Sequence, residues 1–455
     1  MSRRDRRLPR FVTSAALAAT GLLGACSWSA FDDLADGTWV DSAGAADGIE
    51  PNELGMIASP GMTNRNAVFV VVGRSTDSVG GYSYDADGAR AAVGSEVRGG
   101  ATQFGPLPDG VPIAGDPYSN VIGIAAITGA SNEGDTKVVS FKADDLSQIE
   151  AQNDFNDVSG NSGPLDGPIQ PTGMVYARTD DDGGATTDII LARGAQIAMV
   201  QDYDNDAHTL VACYGETDSD VVKSVARGPF DPNDTDDELV AVVNDNAGTA
   251  PTLVVFDGRA IAMAFASQTG SLTSCFLDGD ADRTPLARLP GPAGEPDFGA
   301  AIVVGDFNGD GLPDIVVSSP EANVVRAYIN DGDLSDGTTE VMVGAPLDAS
   351  RFGASLAAGD LDGDGADELV IGAPRSNPDG VNNAGAAYIY SLSGGTFTIE
   401  ATLHDAQPED EQQLGKAVAV VPWTAGGRSI VVVGGATEIF TYFRTLFYDD
   451  VRNGQ

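Results

Sequence analysis

Short apolar runs of four to seven residues recur along the chain from about residue 61, and Gly, Asp and Pro bound them. The clearest examples are AIVVG and IVVSS, which lie on either side of an acidic segment near residue 310. Many of these residues are β-branched, and runs of this length and composition are typical of buried β-strands. The pattern therefore predicts an all-β protein.

The runs belong to a repeated unit. Three copies are clear, and they start 54 and 62 residues apart at Phe298 (FGAAIVVGDFNGDGLPDIVVSSP), Phe352 (FGASLAAGDLDGDGADELVIGAP) and Leu414 (LGKAVAVVPWTAGGRSIVVVGGA). Weaker copies start at Ala67, Val121, Gly173 and Val222, which gives seven units between residues 61 and 447. Units of this length suit four short strands, and radial stacking of such sheets buries their faces. We therefore predict a seven-bladed β-propeller, with six or eight blades as alternatives.

The repeated unit resembles a known family. Phe298-Gly299 with Ser318-Ser319-Pro320, and Phe352-Gly353 with Gly372-Ala373-Pro374, resemble the FG-GAP repeats of integrin α-subunits and of many bacterial surface proteins. The resemblance is strongest over residues 298–395 and weakest over 61–297, and the unit at Leu414 has Leu-Gly for Phe-Gly. It implies a propeller whose loops bind calcium, and an adhesion role with ligands on the face opposite those loops.

Two acidic loops carry candidate cation ligands. In the fifth unit, oxygen side chains occupy loop positions one, three, five and nine, and a backbone carbonyl can serve at position seven: Asp306, Asn308, Asp310, Leu312 and Asp314. The sixth unit repeats this order with Asp360, Asp362, Asp364, Ala366 and Glu368. Alternate spacing directs such oxygens to one side of a tight turn, where a hard cation can collect them.

The cation that these loops predict is Ca²⁺, with two sites. Oxygen ligands disfavour zinc and copper, and Mg²⁺ dehydrates too reluctantly to accept so many protein ligands. An EF-hand is excluded because position twelve is Val317 or Ile371 rather than glutamate, and because the flanking segments are strand-like. The alternative is a pair of acidic hairpins that bind no ion.

Two further loops are degenerate versions of this pattern. In the third unit, Asp180, Asp182 and Asp188 fall at positions one, three and nine, which predicts a possible weak metal site. The fourth unit offers Asp231, Asn233, Asp236 and Glu238 in a shifted register.

The N-terminal residues have the layout of an export signal. Five arginines precede an apolar segment, Phe11 to Gly24, that is too short to span a bilayer. The segment ends in Leu23-Gly24-Ala25-Cys26, which resembles a bacterial lipobox, so Cys26 is the predicted lipidation site. We predict a signal peptide over 1–25, a tether over 26–60 with a possible strand at 37–40, the propeller over 61–447 and a tail over 448–455. The protein would then be exported and lipid-anchored to the cell envelope, at the outer membrane or the cell surface.

Composition narrows the function. The net charge of −42 disfavours nucleic acid and anionic lipid as partners and favours cations.

Cys213 and Cys275 lie in strand-like runs, and outside the cytosol such a pair of cysteines is often bridged. We therefore predict a disulfide between them, with two buried thiols as the alternative.

No catalytic residues are predicted. His208 and His404 are the only histidines, neither has a metal-spaced partner, and no nucleophile elbow or phosphate loop is present in the sequence. The favoured hypothesis is a surface module that binds an extracellular or envelope protein or glycan. The alternatives are a propeller-scaffold enzyme acting on polysaccharide and an envelope scaffold protein.

Overall fold

We describe the fold from a computed structural model. It describes residues 40–43, 54–58, 67–73, 78–84, 90–92, 97–98, 112–127, 136–143, 145–154, 171–179, 187–194, 196–203, 209–213, 221–231, 236–244, 251–259, 285–332, 334, 338–405, 407–423, 428–436 and 439–443. The predicted signal peptide, Cys26 and the predicted tail lie outside these residues.

The described residues are mainly β-strands. In the first part of the chain the strands are β1 (Val40–Ala43), β2 (Leu54–Ala58), β3 (Ala67–Gly73), β4 (Ser78–Tyr84), β5 (Arg90–Ala92), β6 (Val97–Arg98), β7 (Ile113–Gly115), β8 (Val121–Ile127), β9 (Thr136–Lys142), β10 (Asp145–Asp154), β11 (Pro171–Ala177), β12 (Asp188–Arg193), β13 (Gln196–Gln201) and β14 (Thr209–Cys213). The later strands are β15 (Val221–Gly228), β16 (Glu238–Asn244), β17 (Thr252–Phe256), β18 (Ala287–Pro290), β19 (Ile302–Gly305), β20 (Asp314–Ser319), β21 (Val324–Ile329), β22 (Thr339–Val343), β23 (Ser355–Gly359), β24 (Glu368–Ala373), β25 (Ala386–Ser393), β26 (Thr396–Leu403), β27 (Ala417–Trp423), β28 (Arg428–Gly434) and β29 (Ile439–Phe443). A 3-10 helix spans Pro378–Gly380. Among the residues described, no helix has the length and apolar character needed to cross a membrane.

The strands form antiparallel sheets, which confirms the prediction of an all-β protein. In the part of the chain that the structure describes, six sheets have four strands and one has five. The sheets are β2–β5 with β6 on β4, β7–β10, β11–β14, β15–β18, β19–β22, β23–β26, and β27–β29 joined by β1. Neighbouring strands are consecutive in the sequence except where β1 and β6 join, so most of the pairing is made by local hairpins.

The sheets also follow one another in space in the order of the sequence. The first strand of each sheet contacts the first strand of the next, from β2 through β7, β11, β15, β19 and β23 to β27. β27 in turn contacts β2, so the series of contacts returns to the first sheet.

The last sheet joins the two ends of the described chain. β1 pairs antiparallel with β29, with Val40 opposite Tyr442 and Ala43 opposite Ile439. β1 and β2 both fall inside residues 26–60, which the sequence predicts to be mainly a tether. The sheet-forming region therefore begins before residue 61. The sequence does not predict this because β1 and β2 are short runs and their partner strands are distant in the sequence or weakly patterned.

The repeated Phe-Gly or Leu-Gly pair packs each of the last three sheets against the sheet that precedes it. Phe298, Phe352 and Leu414 are fully buried, and Phe298 packs among residues of β16 and β20. The following glycine has a positive φ of 88° at Gly299 and 91° at Gly353. A Cβ on Gly299 would lie 2.5 Å from Val242 Cβ of the preceding sheet. Only glycine meets both demands, which explains the repeated dipeptide.

Candidate cation-binding loops

The two acidic segments occupy equivalent places in consecutive sheets. Loop five (residues 306–314) connects β19 to β20, and loop six (residues 360–368) connects β23 to β24. Each loop follows a strand-ending glycine that pairs with the residue at position nine, Gly305 with Asp314 and Gly359 with Glu368. The predicted strand–loop–strand arrangement is confirmed, and strands rather than helices flank each loop.

Loop five is wound around the carboxylate of Asp306. Its Oδ1 accepts hydrogen bonds from the backbone N of Gly309 (2.8 Å) and Asp310 (3.1 Å), and its Oδ2 accepts one from Gly311 N (2.8 Å). Gly311 has φ +88°, which a non-glycine residue rarely adopts. The turn therefore brings positions one, three and five close together, and Asn308 Nδ2 lies 2.8 Å from Asp310 Oδ2.

Asp314 ties the loop to the sheet. Its side chain is fully buried, its Oδ2 accepts from Phe307 N (3.1 Å), and its Oδ1 accepts from Asn330 N (2.8 Å). Burial raises the pKa of this carboxyl to about 6, and the negative charges of Asp310 and Asp306 add to the rise. A cation in the loop would offset both effects.

Loop six gathers three carboxylates. Oxygens of Asp360, Asp362 and Glu368 all lie within 4.8 Å of one another. Asp360 accepts from Gly363 N (2.5 Å) and Gly365 N (3.2 Å), so the loop is wound around position one as in loop five. Asp364 lies outside the three-carboxylate group, and its Oδ1 accepts from Ala366 N (3.0 Å).

The donor set of both loops fits a hard divalent cation. The side-chain donors are carboxylate and amide oxygens, and each loop has a buried carboxylate at position nine. The predicted carbonyl ligands, Leu312 and Ala366, hold matching places, since each N–H donates to the side chain at position five (2.8 and 3.0 Å). Ions of this class take six to eight oxygen ligands in flexible geometry.

Asp367 links the two loops directly and was not among the predicted site residues. Its Oδ2 accepts from Asp306 N (2.9 Å), and its own N–H donates to Asp306 O (2.7 Å). An equivalent pair of hydrogen bonds joins the third and fourth units. Asp237 Oδ2 accepts from Arg178 N (2.9 Å), and Asp237 N donates to Arg178 O (2.6 Å). The Asp-Glu-Leu triplet at 237–239 and again at 367–369 is the sequence signal of this link.

The degenerate loops have a register different from the predicted one. In the third unit Ala177 pairs with Asp188, so Arg178 rather than Asp180 holds position one and the loop is two residues longer than loop five. Asp188 keeps its position-nine role, because its carboxylate accepts from Thr179 N (3.3 Å) and Asp202 N (2.9 Å). Asp180 and Asp182 lie outside the described residues, and ion binding there stays a prediction.

In the fourth unit Gly228 pairs with Glu238, which places Pro229 at position one. Glu238 is buried and accepts from Phe230 N and from Asp231 N (3.2 Å), as the position-nine residue does in loops five and six. Asp236 is also buried, whereas Asn233 lies outside the described residues. Position one thus carries an acidic residue, a candidate cation ligand, in loops five and six but not in the third or fourth unit.

Comparison with known proteins agrees with the repeat pattern. Residues 306–371, which run from loop five to β24, match the FG-GAP-like repeat. The chain is 38% identical to integrin alpha-4 from Xenopus laevis over 104 residues, which cover 21% of this chain and 10% of that protein. It is 35% identical to integrin alpha-5 from Xenopus laevis over 126 residues, which cover 27% of this chain and 12% of that protein.

The chain is also similar to an enzyme over part of its length. The chain is 30% identical to phosphatidylinositol-glycan-specific phospholipase D from Rattus norvegicus over 178 residues, which cover 35% of this chain and 20% of that protein. The chain therefore spans about a tenth to a fifth of the length of these three relatives.

The predicted disulfide stays a prediction. Cys213 ends β14, where it pairs with Ile197 of β13, as the strand-like run around it indicates. Cys275 lies outside the described residues.

Proposed function

We propose that this FG-GAP repeat protein is a lipid-anchored, calcium-stabilised surface module that binds a protein or glycan ligand through a seven-bladed propeller. The observation that carries the proposal is the pair of equivalent acidic loops, each wound around a position-one aspartate and closed by a buried carboxylate. Such loops hold oxygen donors at the end of a sheet, where an ion fixes the hairpin.

Seven blades are supported by the order of the sheets. Each described sheet has the four-stranded core of a blade, and the first strands contact one another in sequence order, with β27 meeting β2. A propeller is the arrangement in which radial packing covers the faces of such sheets. Pairing of β1 with β29 supports the same proposal, because it ties the last blade to the start of the chain.

Calcium is the ion that the loops suit best. The carboxylates of Asp360, Asp362 and Glu368 repel one another without a cation. In loop five, burial raises the pKa of Asp314, and the charges of Asp310 and Asp306 raise it further. A divalent ion that accepts many oxygen ligands at flexible angles relieves both. The role proposed for the ion is therefore structural.

A binding role is preferred to a catalytic one. The FG-GAP resemblance implies adhesion, and it is carried by the same loops that hold the candidate cation sites. The match to a phospholipase covers only a fifth of that enzyme, so it does not carry the enzyme's chemistry to this chain.

Anchoring is proposed through Cys26, on the strength of the lipobox-like sequence. Cys26→Ser should leave the protein unlipidated and release it from the membrane fraction in soluble form. Fractionation and acyl labelling of wild type and variant test this, and unchanged membrane association with unchanged label would contradict it.

The ligand-binding role is tested by capture of envelope fractions and glycan arrays on the mature domain, with calcium or with EDTA. We expect specific capture that requires calcium. Absence of any ligand under both conditions, for protein that calorimetry shows to be folded, would refute the binding role.

A further inference from the structure

Two junctions between neighbouring sheets have the same backbone hydrogen bonds but opposite charges around them. At the junction of the third and fourth units, Asp237 holds the backbone N–H and C=O of Arg178. At the junction of the fifth and sixth units, Asp367 holds the same two groups of Asp306. The residue that is held is thus a cation at the first junction and an anion at the second, so the two junctions form a matched pair that differs in charge.

The junction of the third and fourth units contains its own cations. Arg227 Nη1 lies 2.7 Å from Asp237 Oδ1, and the Asp237 side chain is only 3% exposed. Arg227 also donates to the Tyr118 hydroxyl (2.9 Å), which in turn donates to Asp237 Oδ2 (2.7 Å). The guanidinium carbon of Arg178 lies 3.8 Å from the centroid of the Tyr118 ring, and that of Arg227 lies 5.1 Å from it. Charge-assisted hydrogen bonds and cation–π contacts therefore join the second, third and fourth units.

Further buried carboxylates surround these two arginines. Asp116 is buried beside Tyr118, where its Oδ1 accepts from Tyr118 N (2.9 Å) and its Oδ2 accepts from the Tyr203 hydroxyl (3.2 Å). Asp236, next to Asp237, is buried as well. The chain itself thus supplies charges of both signs at this junction.

The junction of the fifth and sixth units has a different balance of charge. Loops five and six contain neither lysine nor arginine. Burial raises the pKa of Asp367, and the negative charges of Asp306 and Asp360 raise it further. Like charges therefore act on the residue that joins the two loops, and a bound cation would offset them.

We propose that calcium closes the junction between the fifth and sixth units, whereas Tyr118, Arg178 and Arg227 close the junction between the third and fourth units without an ion. Removal of calcium then separates loops five and six, and the junction that contains the arginines stays closed. The inference rests on the proposed calcium role, and it names the part of the molecule that calcium regulates.

The opposite end of the junction between the fifth and sixth units supplies a pivot for this opening. There Phe352 N donates to Asn323 Oδ1 (3.0 Å), and Arg351 lies 3.3 Å from Glu321. These contacts involve none of the candidate cation ligands. The two sheets therefore stay joined at this end when loops five and six separate.

The test is hydrogen exchange of the full mature chain, followed by mass spectrometry, in calcium and in EDTA. The probes are the four backbone amides of the matched hydrogen bonds, those of Arg178, Asp237, Asp306 and Asp367. In EDTA the amides of Asp306 and Asp367 should exchange at least about tenfold faster, because local opening exposes them. The amides of Arg178 and Asp237 should exchange at the same rate in both conditions.

Arg227→Gln tests the junction that needs no ion. It removes the guanidinium that pairs with the buried carboxylate of Asp237, so the Arg178 and Asp237 amides should exchange faster by the same factor in calcium and in EDTA. Arg227→Lys keeps the charge and should restore part of the protection. Arg288→Gln is the matched control, because Arg288 is an exposed arginine on β18 of the same sheet, and it should exchange like wild type at both junctions.

The comparison of wild type in calcium and in EDTA does not depend on any variant. An equal effect of EDTA at both junctions would overturn the inference, as would an effect of Arg227→Gln that appears only in EDTA. Calcium binding in calorimetry without faster exchange at Asp306 and Asp367 in EDTA would overturn it too, but would leave the proposed calcium role intact. If calorimetry shows no calcium binding, both the calcium role and this inference fail.

Discussion

At the residue scale, the position of a side chain in the loop determines its hydrogen bonds more than its residue type does. Position nine is Asp314 in loop five and Glu368 in loop six, and the structure gives both the same task of accepting a backbone N–H from position two. The sequence predicts these two residues as cation ligands. Their second role, holding the loop to the sheet, could not be predicted, because it depends on how the turn closes.

Asp314 should make the cation-free protein sensitive to pH. Its carboxyl pKa is raised to about 6 in the folded protein, so the folded state binds this proton more tightly than the unfolded chain does. The stabilisation is fully present below the unfolded pKa of about 3.9 and is lost as pH rises through about 6. Urea unfolding in EDTA should therefore show a stability difference between wild type and Asp314→Asn that changes across this range.

A stability difference between wild type and Asp314→Asn that stays constant across this pH range would show that the Asp314 proton is not linked to folding.

At the scale of the elements, the unit of construction is a strand, an acidic loop and a second strand. Apolar runs on both sides of loops five and six predict β19, β20, β23 and β24 closely, because a continuous apolar run and the turn residues that bound it are local signals. Local signals do not predict the register of the loop in the third unit. Its aspartates suggest that the site starts at Asp180, but strand pairing assigns position one to Arg178, and register is decided by the partner strand.

Calcium should stabilise the folded protein through loops five and six. Extracellular calcium modules bind at about 10⁻⁴ to 10⁻³ M, so a site of about 10⁻⁴ M adds roughly 2.7 kcal/mol at about 10 mM calcium. Asp310→Asn combined with Asp362→Asn should remove most of the calcium-dependent rise in melting temperature. In EDTA the same variant should be little weaker than wild type, because it lowers the repulsion within each loop.

Asp331→Asn provides the matched control, since Asp331 is an exposed aspartate in the turn between β21 and β22, at the same end of the sheets. It should keep the full calcium effect, as measured by differential scanning calorimetry. Equal stabilisation by magnesium, or no calcium binding at millimolar concentration, would reject the calcium assignment but leave the sheet architecture intact.

At the scale of the whole molecule, each sheet is built mainly from strands that are consecutive in the sequence, whereas the contacts between sheets join residues that are distant in the sequence. The repeat predicts β-sheets in sequence order from its period and its apolar runs. It does not predict that β1 completes the last sheet, because about 400 residues separate the two partners and neither carries a pairing signal. The contacts among Tyr118, Arg178, Arg227 and Asp237 are not predicted for the same reason, since these residues come from three sheets.

Pairing of β1 with β29 should matter for global stability. A chain that starts at residue 44 lacks β1, whereas a chain that starts at residue 40 keeps it and serves as the control. The shorter chain should lose roughly 1–3 kcal/mol of unfolding free energy, since backbone hydrogen bonds to β29 are lost and its edge is exposed. Equal unfolding midpoints in urea for the two chains would contradict this.

The contact between loop five and loop six gives the two candidate ion sites a means of communication. Asp367 belongs to loop six, yet it holds both backbone groups of Asp306, the residue around which loop five is wound. Ordering of one loop by an ion therefore lowers the entropy that the other must lose, so the second ion should bind more tightly than the first. Calcium titrations should be cooperative, with a Hill coefficient above one that Asp367→Ala returns toward one. A protein built this way would respond to a narrow range of calcium concentration rather than to a gradual change.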